Sequence, residues 1–182
     1  MLLIIAILFM AVDDDKPGDI ESKAEYLIVL DWDDLSNTDF DLWVDGPGDI
    51  LVGYKNREGG LLHLERDDLG KLNDTFINSQ GQLQVNHINR ETVAIRGHQD
   101  GRYTANVHVY RYGDLAPSTV TLELVRINPY EVLYVSKVVL SETGQEHTFA
   151  TFDLTEYGGY KYIGNDKVRI INQSDTMNSI MK

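Results

Sequence analysis

The chain is 182 residues long, carries a formal net charge of −13 and contains no cysteine. This length suits one domain with a sizeable core. The charge argues against nucleic acid as a partner, because phosphates are bound by Lys and Arg, and against electrostatic docking on anionic lipid. It suits a soluble exterior, cation binding or a basic partner. The lack of cysteine excludes disulfides, thiolate metal ligands and a cysteine nucleophile.

The chain begins with an uncharged apolar segment, residues 1–12, followed by an acidic linker, residues 13–23. As a helix the apolar segment would span about 18 Å, less than the roughly 30 Å of a bilayer's hydrocarbon core. It has no basic leader and no small-residue cleavage site. Three interpretations stay open: a short membrane anchor, a degenerate export signal, or an arm buried in an assembly. The first two are favoured and predict a membrane-associated or exported protein, in the periplasm or at the cell surface.

Residues 24–154 contain short β-rich runs separated by turn signals, with no convincing amphipathic helix. This pattern predicts an all-β fold, an antiparallel β-sandwich of the C2-like or jelly-roll-like kind. The turn at 113–117 predicts an antiparallel hairpin between the strands on either side of it. Residues 65–90 read as a long loop or a pair of weak strands. The predicted strands are 24–30, 39–45, 50–54, 61–64, 91–96, 101–112, 119–127, 131–140 and 146–154.

Residues 155–182 form a C-terminal extension rich in tyrosine and glycine. Within it, 161–163 and 167–171 are candidate arms of a small hairpin around a Gly-Asn-Asp turn. The sandwich domain is therefore predicted to end at residue 154.

The most informative stretch is 31–49, which holds seven aspartates and neither Lys nor Arg. On a strand of period two, the acidic residues of 39–45 share one face with Trp43 and the apolar residues share the other. Carboxylates roughly 6–7 Å apart on one face repel each other unless a cation lies among them. Ca²⁺ fits best because it accepts irregular shells of six to eight oxygens. A solvated acidic face is the alternative.

The same stretch resembles the opening of the YfaP-like domain of unknown function, through Leu30-Asp-Trp-Asp33, Asp39-Phe-Asp41-Leu-Trp-Val44 and Gly46-Pro47. Further similarity lies in 59–68, 89–95 and 100–110, although the loop between 68 and 89 is longer than expected. Members of that family are bacterial β-sandwich modules of exported or surface proteins, so the resemblance implies the same fold and location. Carried over residue by residue, it implies an acidic, cation-binding cluster made of Asp33, Asp39, Asp41, Asp67, Asp68 and Glu91.

No motif in the sequence indicates catalysis. A D-x-D motif at Asp39 and Asp41 would need the nucleotide-binding fold of a glycosyltransferase, which has no signature here. Carboxylate pairs suited to a glycosidase carry little weight in so acidic a chain. The five histidines lack metal-ligand spacing, and no G-x-S-x-G marks a serine nucleophile. Trp32 and Trp43 are interpreted as core or partly buried residues, with a sugar-stacking platform as the alternative.

These observations predict a non-catalytic, calcium-supported binding or structural module, exported or tethered through its N-terminus, with a protein or carbohydrate partner of unknown identity. The main alternative is a phage- or virion-type structural protein whose N-terminal arm packs in an assembly. An enzyme acting on glycosides is the least favoured class.

Overall fold

The structure is a computed structural model that describes residues 24–171; the predictions for residues 1–23 and 172–182 lie outside this range. Thirteen β-strands and one short 3₁₀ helix, Gly70–Asn73, make up its regular structure. No helix within 24–171 is long and apolar enough to cross a membrane. The strands are β1 Tyr26–Asp31, β2 Asp39–Gly46, β3 Ile50–Val52, β4 Glu58–Gly59, β5 Leu62–Arg66, β6 Thr75–Ile77, β7 Leu83–Val85, β8 Arg90–Ile95, β9 Gly101–Arg111, β10 Ser118–Arg126, β11 Glu131–Leu140, β12 Glu146–Leu154 and β13 Tyr160–Gly164.

Two antiparallel sheets hold most of these strands and confirm the predicted sandwich. The larger sheet has six strands in the order β11-β10-β1-β8-β5-β4, and the smaller has five in the order β13-β12-β9-β2-β3. Strands β6 and β7 form a separate two-stranded hairpin. The pairing within each sheet is antiparallel throughout.

The hydrophobic core lies between the two sheets and is built from alternate residues of each strand. In β2, Phe40, Leu42 and Val44 are fully buried and face the core, as their period-two spacing predicts. Tyr26 and Tyr103 are among the largest side chains that are almost completely buried. Burial of such side chains stabilises a fold by about 1.5–3 kcal/mol each, so this core is the main source of stability.

The predicted hairpin between residues 101–112 and 119–127 is wrong. Strand β9 pairs with β2 and β12 in the smaller sheet, whereas β10 pairs with β1 and β11 in the larger one. The connection between them therefore crosses from one layer to the other. Asp114 lies in this connection and accepts hydrogen bonds from the hydroxyls of Ser36, Thr38 and Ser118. Alternating strands bury the same residues whether they pair with each other or face each other, so alternation alone did not distinguish the two arrangements.

The predicted domain boundary at residue 154 and the small C-terminal hairpin are also wrong. Strand β13 pairs with β12 and is an integral edge strand of the smaller sheet. Residues 165–171 contain no strand and run across the outer face of that sheet instead. There the carbonyl of Val168 accepts hydrogen bonds from Asn106 Nδ2 at 2.7 Å and Thr148 Oγ1 at 3.1 Å. The sandwich therefore extends through Gly164, with β13 as an edge strand of the smaller sheet.

Residues 65–90 contain the predicted pair of weak strands. The β6–β7 hairpin closes through backbone bonds from Asn78 N to the Gln82 carbonyl and from Asn86 N to the Asp74 carbonyl, at 2.9 and 2.8 Å. Every residue of both strands is exposed. The hairpin is therefore an appendage and contributes nothing to the core.

Candidate functional site

The acidic face of β2 is buried, although it points away from the hydrophobic core. Asp39, Asp41 and Trp43 are each 3% exposed, while the core cluster contains none of the three. The solvated acidic face considered as an alternative is therefore absent at these positions. A second layer of side chains and loop covers this part of the smaller sheet.

Aromatic residues form one part of this cover. The Trp43 ring meets the Tyr54 ring edge to face with centroids 5.4 Å apart, and Tyr54 meets Tyr110 in the same way at 5.5 Å. Gly53 permits this packing, because a Cβ at that position would lie 2.6 Å from the Trp43 ring. Trp43 thus belongs to a small aromatic cluster on the outside of the sheet, which explains why it shares a face with aspartates.

The loop after β5 forms the other part of the cover. Gly70 has a φ of +65°, and a Cβ there would lie 3.0 Å from the Thr38 carbonyl oxygen, so this position favours glycine. The loop is thereby held against the chain that enters β2. Arg111 Nη2 donates to the Leu69 carbonyl at 3.3 Å and ties the loop to β9 as well. This arrangement brings Asp67 and Asp68 beside β2.

A small pocket lies where β2, β9 and this loop meet. Its volume is about 120 Å³. Asp39 Oδ1 and Asp67 Oδ1 are both buried and have no hydrogen-bond partner within residues 24–171. Asp41 Oδ2 lies 3.2 Å from His108 Nδ1. The pocket is lined by Asp39, Asp41, Tyr54, Asp67, Leu69 and Tyr110.

The electrostatics of the pocket disfavour ionised carboxylates. Burial raises the pKa of Asp39 to about 7, with a further contribution from the Asp41 charge and partial compensation by Arg111. Burial also raises the pKa of Asp41, against the opposing effect of its hydrogen bond to His108. Asp67 and Asp68 add negative charge near Asp39. A bound cation would relieve this unfavourable charge density, as would a proton.

Two of the loop aspartates already have basic partners. Asp67 Oδ2 accepts a hydrogen bond from Arg57 at 2.7 Å, which leaves its Oδ1 available. Asp68 accepts hydrogen bonds from Arg66 at 2.7 Å and from the Gly70 amide at 3.0 Å. Asp67 therefore faces the pocket with one unused oxygen, whereas Asp68 serves mainly to shape the loop.

Glu91 has a structural position beside the pocket. Its carboxylate accepts hydrogen bonds from the amides of Leu42 at 2.6 Å and Asp68 at 3.3 Å, so it joins β8 of one sheet to β2 of the other. The side chain is 1% exposed. Burial raises its pKa well above the ordinary value, and the Asp41 charge raises it further. Glu91 belongs to the acidic cluster, but both of its carboxylate oxygens accept hydrogen bonds from backbone amides.

The structure does not bring Asp33 to this pocket. Its carboxylate accepts a hydrogen bond from the Leu35 amide at 2.7 Å and closes the turn before β2. Asp33 instead lines a separate open cavity of about 550 Å³ at the crossing connection, beside Asp114. Burial alone would raise the pKa of Asp114, but hydrogen bonds from Ser36, Asn37, Thr38 and Ser118 hold it below its usual range. Both oxygens of the Asp114 carboxylate therefore accept hydrogen bonds.

Of the six predicted site residues, the structure thus places Asp39, Asp41 and Asp67 at one pocket, with Asp68 and Glu91 behind it and Asp33 elsewhere. Within residues 24–171, no three His, Asp or Glu side chains are arranged as a ready metal-binding group. Tyr54, His108 and Tyr110 also lie at or beside the pocket, although no sequence motif marked them as site residues. The period-two pattern of β9 puts His108 and Tyr110 on one face, but only the pairing of β9 with β2 places that face beside the aspartates.

Comparisons with known proteins bear on the fold alone. No family model matches the sequence, and no curated protein matches it. A solved structure, described as the crystal structure of unknown function protein SAV2460, is similar with a TM-score of 0.50 and 16% sequence identity. The similarity covers 79% of this chain and 89% of that one. The resemblance to YfaP-like domains stays a prediction.

Proposed function

We propose that this protein is a non-catalytic β-sandwich module in which the pocket beside Asp39, Asp41 and Asp67 binds Ca²⁺ and fixes the loop after β5 on β2. The observation that carries the proposal is Asp39 Oδ1, a buried carboxylate oxygen at the pocket without a hydrogen-bond partner in the described chain. Such an oxygen is costly to bury unless a proton or a cation satisfies it.

The chemistry of the pocket favours a hard cation. The carboxylate oxygens that have no hydrogen-bond partner within residues 24–171 come from two different segments, Asp39 on β2 and Asp67 on the loop. A volume of about 120 Å³ accommodates an ion together with a few waters, each of which occupies about 30 Å³ in the liquid. Ca²⁺ accepts a mixed shell of carboxylates and waters in irregular geometry, whereas Mg²⁺ demands a near-ideal octahedron.

Because few protein oxygens are available and Arg111 stands nearby, we expect weak affinity, on the order of the 10⁻⁴–10⁻³ M of extracellular calcium modules. A site of that strength is loaded where Ca²⁺ is millimolar. The ion would then stabilise the loop after β5 against β2 and would take no part in chemistry. The module would present the surface formed by this loop and β2 to a protein or carbohydrate partner.

The direct test is thermal denaturation in EDTA and then in millimolar Ca²⁺ or Mg²⁺ at matched ionic strength. Ligand binding to the folded state stabilises it by RT ln(1 + [L]/Kd), which is about 0.4 kcal/mol when the ligand concentration equals Kd and about 1.4 kcal/mol at a tenfold excess. The corresponding shift in Tm is about one to a few degrees. We expect Ca²⁺ to give a shift that Mg²⁺ does not. Asp39→Asn combined with Asp41→Asn should abolish the shift and raise the Tm in EDTA, since both substitutions remove repulsion.

The matched control is Asp45→Asn combined with Asp49→Asn. It removes the same number of charges, from the far end of β2 and the turn that follows, and neither residue lines the pocket. This variant should keep the calcium shift. Equal shifts with Ca²⁺ and Mg²⁺, or a shift that survives the Asp39 and Asp41 substitutions, would contradict the proposal.

We also propose that residues 1–12 tether or export the module. Since residues 24–171 contain the complete two-sheet core, a chain starting at residue 24 should fold and remain soluble. The full chain should fractionate with membranes or be processed near residue 13. Recovery of unprocessed full-length protein as a soluble monomer would contradict the tether while leaving the calcium proposal intact.

A further inference from the structure

We propose that one side wall of the sandwich, formed by the edge strands β11 and β13, is an interface at which two copies of this chain associate through antiparallel pairing of β11 with β11. The wall and the acidic pocket share no lining residue, so the proposed association is independent of cation binding.

The open edge of β11 is the first observation. This strand is ten residues long, and β10 is its pairing partner among the described residues. One side of its backbone therefore presents N–H and C=O groups that no strand of residues 24–171 satisfies. Such an edge is a template for another strand.

The side chains along this edge are apolar and exposed. Val132, Val135 and Val139 are 43%, 50% and 62% exposed. On the neighbouring edge of the other sheet, Tyr162 and Ile163 are each 40% exposed. Because side chains alternate between the two faces of a strand, Val135 and Val139 lie on the outer face of the larger sheet, directly beside its open edge. Exposed apolar side chains beside an open edge are typical of an interaction site.

The two edge strands lie next to each other. The Tyr134 ring of β11 stacks on the Tyr162 ring of β13 with centroids 5.0 Å apart and an interplanar angle of 16°. The Tyr134 hydroxyl also donates to the Phe149 carbonyl of β12 at 2.9 Å. These contacts bring the open edges of both sheets to the same side of the sandwich.

The charge pattern of the wall permits self-association. The chain contains 29 acidic residues, yet residues 132–140 and 160–164 contain none and carry only Lys137 and Lys161. Edge strands that must stay single usually carry several charges or a proline. Strand β11 has no proline, and its charged residues are Glu131 at its first position and Lys137. Two copies can therefore approach through this wall without bringing acidic side chains together.

The size of the wall fits a dimer. A ten-residue strand is about 33 Å long and two packed layers are about 20 Å deep, which gives roughly 660 Å² per copy. Stable interfaces bury about 600–1,000 Å² per partner, so the wall lies at the lower end of that range. A second copy also satisfies the geometry fully, because antiparallel pairing about a two-fold axis matches edges of identical length and leaves neither open.

The experiment uses the absence of cysteine from the chain. Single substitutions of Val132, Val135, Lys137 and Val139 to Cys are introduced in the full chain, which is then oxidised with diamide. In an antiparallel pair only residues near the two-fold axis meet their own counterparts, so one or two adjacent positions should link and the others should not. At about 10 µM protein, a linked position should react roughly a hundredfold faster than chance collision, because its effective concentration is in the millimolar range.

Ile77→Cys is the matched control, since Ile77 is an apolar residue on the separate β6–β7 hairpin and, at 72%, is more exposed than the three valines. Association driven by residues 1–12 or by random collision would link it as readily as the β11 positions. Equal rates at Ile77 and at every β11 position would overturn the proposal.

Sedimentation of the full chain in mild detergent gives the second measurement. We expect a dimer that Val135→Lys combined with Val139→Lys converts to monomer, whereas Ile77→Lys combined with Leu83→Lys leaves it dimeric. Added salt should strengthen the dimer because it screens repulsion between copies of charge −13. A monomer at about 100 µM, where a micromolar Kd predicts dimer, would overturn the proposal. Disulfide links at the β11 positions that appear only after deletion of residues 1–12 would also overturn the proposal, because they would mean that this segment covers the edge in the full chain.

Discussion

At the scale of single residues, Asp39 illustrates how packing changes the chemistry of a side chain. Its position on β2 was evident from alternation, but its burial under the loop after β5 was not. Burial raises its pKa from 3.8 to about 7. The folded state therefore prefers Asp39 protonated when no cation is bound, and this preference links stability to pH.

We predict that, in EDTA, the protein is more stable at pH 5.5 than at pH 8. A carboxyl whose folded pKa exceeds its unfolded pKa contributes stability that is complete below pH 3.8 and is lost as the pH rises to about 7. Between pH 5.5 and pH 8, the titration of Asp39 alone lowers the free energy of unfolding by about 2 kcal/mol. Urea denaturation at both pH values measures it, and Asp41 and Glu91 act in the same direction.

Asp39→Asn should reduce this pH dependence, whereas Asp49→Asn should leave it unchanged. Asp49 is an exposed residue with a φ of 59°, a conformation that Asn tolerates. A pH dependence that Asp39→Asn does not alter would mean that the Asp39 carboxyl titrates normally.

Glu91 is the second residue whose role depends on the tertiary structure. We predict that Glu91→Ala destabilises the fold by about 3–5 kcal/mol, because it leaves two buried amides, those of Leu42 and Asp68, without acceptors. Glu91→Gln should cost less, since its carbonyl still accepts one of the two bonds. Glu65→Ala is the control. It breaks an exposed ion pair with Arg96 and should cost no more than about 1 kcal/mol. Equal effects of the two alanine substitutions would refute the bridging role.

At the scale of elements, the β6–β7 hairpin differs from the rest of the chain because none of its residues is buried. The backbone of Asp74 and Asn86 is joined by a 2.8 Å hydrogen bond at its base, so the two ends are already adjacent. Replacing residues 75–85 with Gly-Gly should therefore change the Tm by only a few degrees, since no core contact is lost and loop closure becomes easier.

Leu122→Ala gives the contrast. Leu122 is fully buried in β10, and such truncations cost about 2–5 kcal/mol. Calorimetry of both variants distinguishes an appendage from a core element. A deletion as damaging as Leu122→Ala would show that the hairpin supports the sandwich.

At the scale of the whole molecule, three surfaces with different properties surround one core. The outer face of the smaller sheet carries the acidic pocket under an aromatic and loop cover. The wall of β11 and β13 is largely apolar, and its acidic residue is Glu131 at the start of β11. The crossing connection is fixed by Asp114, whose hydrogen bonds hold the two layers together at one end. The similarity to SAV2460 shows that this sandwich architecture is shared with another solved protein, and it supports the fold without assigning a function.

The sequence by itself determined the class of fold and most of the strands. Alternation in β2 identified Phe40, Leu42 and Val44 as core residues, because the period of two is a local property of the backbone. It also placed Asp39 and Asp41 together on the opposite face for the same reason.

Only the tertiary structure decided which strands are neighbours and therefore what surrounds those aspartates. Pairing depends on long-range contacts, so the placement of β9 beside β2, which brings His108 to Asp41, had no local signature. The loop after β5 likewise carries Asp67 to the pocket while the turn after β1 holds Asp33 away from it. A carboxylate becomes a candidate ligand through burial and unsatisfied hydrogen-bonding capacity, and both properties arise only when distant segments pack.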